Sequence, residues 1–282
     1  TIVYIICLGF YLTPEVLGGP TTPFTAALIA LAAEGLSHVF RNSGEFEQAL
    51  SLNQEVIDWS QTHRQFLEQS VALYMRGEIL RGMGSFESSI AQYEAARRIS
   101  DSLQDTQGKA FSDLRTCQSR IELRQWGAAR GRCQDAVKVF TASQSRDVQK
   151  EAQAALARID LAQGHAARAL QVLNEVLSDH GADVPPRRAA ALFELRARTF
   201  AALNRYQEAF ADLDEFAQRN AREADTERIK QSAALRARFD IDREVERNES
   251  LKSQLALEKE RVQRRNDQLR WTVAAILAGI CV

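Results

Sequence analysis

The side chains best suited to proton transfer, nucleophilic attack or metal binding are four histidines and four cysteines. Their spacing assigns them none of these tasks. His38, His63, His165 and His180 are scattered and read as surface or packing residues. Cys7, Cys117, Cys133 and Cys281 contain no CxxC pair, the spacing that lets two thiolates share a zinc ion. No Gly-Lys-Ser/Thr phosphate loop, no His-Glu-x-x-His zinc helix and no nucleophile elbow occurs. Gly82-Met83-Gly84 lacks the lysine and hydroxyl of a phosphate loop and reads as a turn. The residues therefore predict no catalytic site, no cofactor and no metal.

What remains is a chain built to form helices. Its 282 residues suffice for two ordinary domains or one elongated repeat array. With 45% hydrophobic and 26% charged residues it can bury a core, and only 5 prolines and 14 glycines interrupt it. A net charge of -1 argues against a dedicated nucleic-acid binder, which needs a basic stripe to displace counterions.

Self-comparison reveals a period of forty residues. Gly44-Glu45-Phe46-Glu47-Gln48-Ala49-Leu50 recurs as Gly84-Ser85-Phe86-Glu87-Ser88-Ser89-Ile90, then through Trp126 and Ala129, Gly164 with Ala169-Leu170, and Tyr206-Gln207-Glu208-Ala209-Phe210. One column is small throughout: Ala49, Ser89, Ala129, Ala169, Ala209. A second, twelve residues earlier, is small as well: Ser37, Gly77, Cys117, Ala157, Ala197. The column Phe46, Phe86, Trp126, Ala166, Tyr206 is aromatic in four of five copies. Two antiparallel helices approach closely only where both present small side chains, and an aromatic fills the wedge beside the turn. Gly44, Gly84, Gly164 and Asn204 stand where a left-handed backbone is needed, with Arg124 the exception. Cys117 lies at the small position of the first helix of repeat three and Cys133 at a core position of the second. They are either two small core residues or, in an oxidising compartment, a disulfide.

This small–aromatic–small pattern resembles the tetratricopeptide (TPR) family over residues 30–229, in a forty-residue variant of its usual 34. The resemblance implies an all-α, right-handed superhelical solenoid of five helical hairpins, with longer helices or loops than usual. It also implies a peptide or protein partner held in a concave groove lined by first helices. The family's groove positions fall here on Glu34, His38, Arg41, Tyr74, Glu78, Arg81, Gln118, Arg158, Glu194 and Arg198. The Lys/Asn/Arg set with which chaperone-binding members grip a terminal carboxylate is not present.

The organisation read from the sequence is an apolar N-terminal segment and linker (1–23), a repeat domain (24–229), a charged long helix (230–270) and the start of a transmembrane helix (271–282). Within the charged helix Ile241, Asn248, Leu255, Val262 and Leu269 recur every seven residues and could form the seam of a parallel homodimer. Residues 1–12 and 271–282 carry no charge but are shorter than the roughly 20 residues of a membrane helix. Repeats, charged helix and apolar run in this order resemble bacterial transmembrane receptors. That likeness implies an inner-membrane protein with a periplasmic sensor and a GGDEF diguanylate cyclase (c-di-GMP signalling) or histidine kinase as output, neither motif lying in this chain. Lys259, Arg261, Arg264, Arg265 and Arg270 argue for the opposite topology. A TPR adaptor that only scaffolds partners is the rival reading.

Overall fold

The computed structural model describes residues 23–178 and 186–226 together with scattered positions from 228 to 265. No strand occurs among the described residues. Residues 1–217 form one compact unit and 218–282 a second, helical at every described position. Among the described residues of the first unit nine helices follow in order: α1 (Pro23–Ser43), α2 (Phe46–Thr62), α3 (Phe66–Gly82), α4 (Phe86–Ser102), α5 (Thr106–Glu122), α6 (Trp126–Ala142), α7 (Arg146–Ala162), α8 (Ala166–Ser178) and α9 (Pro186–Ala202). Helical residues 206–217 of the same unit complete the fifth hairpin. Each helix packs on the next, and the first helices α1, α3, α5, α7 and α9 also touch in sequence, as a TPR-like solenoid requires.

The forty-residue period is taken up by helix length, not by loops. Helices α2 to α7 are each 17 residues long, and three-residue turns join them. The middle residue of every described turn is left-handed, and these residues recur at intervals of twenty. Gly44, Gly84 and Gly164 stand at φ 84°, 78° and 82°, while Arg64, Gln104, Arg124, Gln144 and Asn204 stand at 53–60°. Each turn satisfies the last carbonyls of its helix in the same way. At Gly84, its N–H donates to Arg81 C=O and the Ser85 N–H donates to Leu80 C=O, at 3.0 and 2.9 Å. A Cβ at Gly84 would meet nothing within 4 Å, so the backbone angle alone makes glycine favourable there.

Both small columns are buried in all five hairpins. Their contact is close enough for the Ser37 hydroxyl on α1 to donate to the Ala49 carbonyl on α2 at 3.0 Å. In the second, third and fourth hairpins the small first-helix residue faces the residue sixteen positions later, and their volumes trade. A Cβ on Gly77 would come within 2.4 Å of the buried Tyr93 ring, so glycine here makes room for an aromatic. Ala157 shares a cluster with Leu173. In the third hairpin Cys117 and Cys133 occupy the two places, joined as a disulfide across Cα atoms 5.5 Å apart.

The inner-membrane, periplasmic localisation expected from the sequence is overturned, since among the described residues no helix is long and apolar enough to cross a membrane. A 17-residue helix reaches about 26 Å, short of a hydrocarbon core of roughly 30 Å. The apolar segments 1–12 and 271–282 lie outside the described residues, as do Ile241, Asn248, Leu255, Val262 and Leu269.

Two outcomes test this packing. Gly77→Ala should destabilise the protein by about 1–3 kcal/mol through overpacking against Tyr93. Gly131→Ala, where a Cβ meets nothing, should stabilise it by about 0.5–1 kcal/mol through helix propensity. Equal shifts in urea denaturation for both variants would remove the close contact. Under denaturing, non-reducing conditions the intact mass should be lighter by two hydrogens than after reduction; an unchanged mass would leave Cys117 and Cys133 as two small core thiols.

Candidate functional site: a groove between the first helices

Residues of α3, α5, α7 and α9 line a cavity of about 720 Å³. The i, i+3/i+4 repeat sets the lining. On α7 it comprises Asp147, Lys150, Glu151, Ala154, Ala155 and Arg158, one stripe of a 17-residue helix. Apolar groups come from Ile121, Ala154, Ala155, Ala191, Leu192 and Leu195. Charge of both signs comes from Arg81, Arg115, Lys150, Arg158 and Arg198 against Glu122, Asp147, Glu151 and Glu194.

Five of the ten residues projected from the sequence line this cavity: Arg81, Gln118, Arg158, Glu194 and Arg198. Arg158 donates to Glu122 at 2.7 Å, and Arg198 to Glu194 at 2.5 Å. The other five, Glu34, His38, Arg41, Tyr74 and Glu78, lie outside the lining on α1 and α3. Most of these five enter a polar network centred on Glu78. Its carboxylate accepts from the Tyr93 hydroxyl at 2.6 Å and pairs with Arg115 at 3.2 Å, Arg81 at 3.3 Å and Arg41 at 3.7 Å. Arg115 also donates to the Tyr74 hydroxyl at 3.1 Å, to Gln118 at 2.8 Å, and to Glu151. Gln118 donates to the same Glu151 oxygen at 2.8 Å, and Arg41 to His38 Nδ1 at 3.2 Å. One connected set of charges thus ties α1, α3, α5 and α7 together. Glu34 is half-buried, with Glu68 as its charged neighbour.

The electrostatics follow from this crowding. Burial pushes Glu78 up, but Arg115, Arg81 and the Tyr93 hydrogen bond outweigh it and hold the carboxyl below the usual carboxylate range. Burial and Glu78 push the Tyr93 hydroxyl far up, so it remains a donor. Burial disfavours the Arg115 cation, yet Tyr74, Glu78 and Glu151 raise its pKa overall. Burial and Arg41 lower the His38 imidazole.

Arg115 and Glu151 line the cavity and were not among the residues projected from the sequence. Arg115 falls in a column otherwise occupied by Gly35, Met75, Ala155 and Leu195, so its position reads as apolar packing. A lone arginine in an apolar column, with a glutamate thirty-six residues later, was the available signal. Among the described residues no group of three or more His, Cys, Asp or Glu could hold a metal ion.

No protein-family model matches the chain, and no curated protein matches it by sequence. Solved structures do match its fold. BtubC (BKLC) from P. vanneervenii aligns with a TM-score of 0.65 at 16% identity, over 79% of this chain and 91% of that one. A Podosopora anserina putative kinesin light chain with nearly identical TPR-like repeats aligns at 0.54 and 17% identity, over 68% of this chain and 95% of that one. These likenesses establish the TPR-like repeat fold.

Removing the hub carboxylate is the direct test of the network. A depressed carboxyl contributes stability that is present above its unfolded pKa, near 4.5, and is lost as pH falls through the lower folded value. Glu78→Gln should therefore cost about 2–3 kcal/mol at pH 7, below the ~3–5 of a fully enclosed pair because the site is partly open. It should also flatten the loss of stability below pH 4.5. Parallel wild-type and variant curves of stability against pH would contradict the assignment.

Proposed function

We propose that the repeat domain is a protein-binding module that holds a peptide or partner segment in the groove between α3, α5, α7 and α9. The observation that carries this reading is the cavity itself. Its apolar groups can take up a ligand's side chains, while carboxylates and guanidiniums on both walls can meet charges of either sign. A scaffold that brings partners together needs no more than this.

The finer role we propose is regulatory: groove occupancy controls an output domain, a diguanylate cyclase or a histidine kinase, carried elsewhere in the same polypeptide. The charged segment 230–270 that follows the repeats favours it, because its sequence suits a long helix leading away from the sensor. Binding shifts such an equilibrium only through differential affinity for two states. A reading frame that stops at Val282 would leave the adaptor role alone.

Peptides selected from a random library on the full chain test the groove. They should bind the double variant Ala154→Glu, Ala191→Glu at least ~tenfold more weakly, about 1.4 kcal/mol. Gln134→Ala, on the exposed side of α6, should leave their affinity unchanged. Equal affinity of selected peptides for all three proteins would refute the groove as the binding site.

A further inference from the structure

Each joint between consecutive hairpins repeats one register, in which a second-helix residue meets the first-helix residue thirty positions later. Ala49 packs with Ile79, and Leu170 with Phe200. The Ser89 and Ser119 hydroxyls bond at 2.9 Å, and Arg130 donates to Asp160 at 2.6 Å. Among the described residues this joint is made four times, and each half of it is left over once.

At one end helical residues 206–217 present a second-helix face that no described first helix follows. Tyr206, Phe210 and Leu213 are 66%, 74% and 46% exposed. The positions matching Leu213 in the earlier hairpins, Asn53, Tyr93, Cys133 and Leu173, are all buried. Residues 63–65, 103–105 and 143–145 turn the chain back to supply the covering first helix, but 223–225 remain helical, so the chain does not turn back at the matching place. At the other end α1 presents a first-helix face that no described second helix precedes. Val39 is 37% exposed, whereas its counterparts Ile79, Ser119, Ile159 and Thr199 are fully buried. The two leftover faces also trade volume. The last helix offers Tyr206 and Phe210, and α1 offers Gly35, the smallest residue of its column.

We propose that the exposed face of the last repeat helix binds α1 of a second copy of this chain, head to tail, in the register of the internal joints. Ala209 then meets the neighbour's Val39, and Phe210 meets its Phe40. The contact is apolar and heterologous: one copy uses its last helix and the other its first, so both copies keep an unused face and growth is open-ended. It requires neither the groove nor the seven-residue column of the charged segment.

Sedimentation velocity of the full chain over a range of concentrations tests this, with Val39→Asp and Phe210→Asp as variants and far-UV circular dichroism to confirm helical content. Both side chains are at the surface, and Phe210→Ser stands in for Phe210→Asp if that variant misfolds. The wild type should gain mass continuously with concentration, and each variant alone should remain monomeric. An equimolar mixture of the two should form dimers and stop there, because it holds one intact pair of complementary faces. A wild type that is monomeric throughout would overturn the proposal. So would a dimer that survives both substitutions, which locates the contact elsewhere, or one abolished by the Phe210 variant alone, which makes the contact symmetric.

Discussion

The closest approach of the two helices in each hairpin is the constraint from which the rest of the architecture follows. Where Gly77, Cys117 and Ala157 lie against the second helix, a larger side chain needs a smaller partner. The fold keeps the sum roughly constant while letting the division vary, as in glycine with tyrosine, alanine with leucine, and cysteine with cysteine. A pair of helices held this tightly has little freedom to slide, because interiors packed at crystal-like density transmit a misfit directly to their neighbours. The register of sixteen within a hairpin then dictates which faces remain for the next, and the register of thirty between hairpins follows.

The turns supply the second half of that argument. Equal helices joined by equal turns give a regular stack, and the regularity lies in backbone angles more than in residue types. Three turn centres are glycine, but arginine, glutamine and asparagine hold the same left-handed conformation elsewhere. Each of these accepts a modest conformational cost that the hydrogen bonds closing the helix offset. Asp105 adds a further device, its carboxylate accepting from the Gly108 N–H at the start of α5.

This explains what could be read from the sequence and what could not. The forty-residue columns were legible because burial permits few side chains, so Ala49, Ala129, Ala169 and Ala209 repeat nearly unchanged. The finer twenty-residue period was hidden, since Arg64, Gln104 and Gln144 carry no local mark of a left-handed turn. Longer helices, rather than longer loops, were one of two open alternatives. Half of the cavity's projected lining was legible, because Arg158, Glu194 and Arg198 stand at the groove positions that the family resemblance implies. Arg115 was not, because its position is apolar in the other repeats and only its three-dimensional neighbours reveal a charge centre. The membrane reading failed for a related reason: it rested on short terminal runs, whereas among the described residues no helix is long and apolar enough to cross a membrane.

The polar network gives the groove an internal asymmetry. Glu78 and Arg115 are largely shielded from water, and their partners come from five different helices, so their charges are already committed. Exposed pairs such as Arg198 with Glu194 lie within one helix and contribute little, roughly 0.3–0.5 kcal/mol, because water competes for both ions. A ligand can displace those contacts at small cost, but breaking the Glu78 hub would strand buried charge. The hub therefore fixes the spacing of α1, α3, α5 and α7, while the weaker pairs near Arg158 and Arg198 are the ones free to exchange partners. The difference between the two sets of pairs lies in how far each is removed from water.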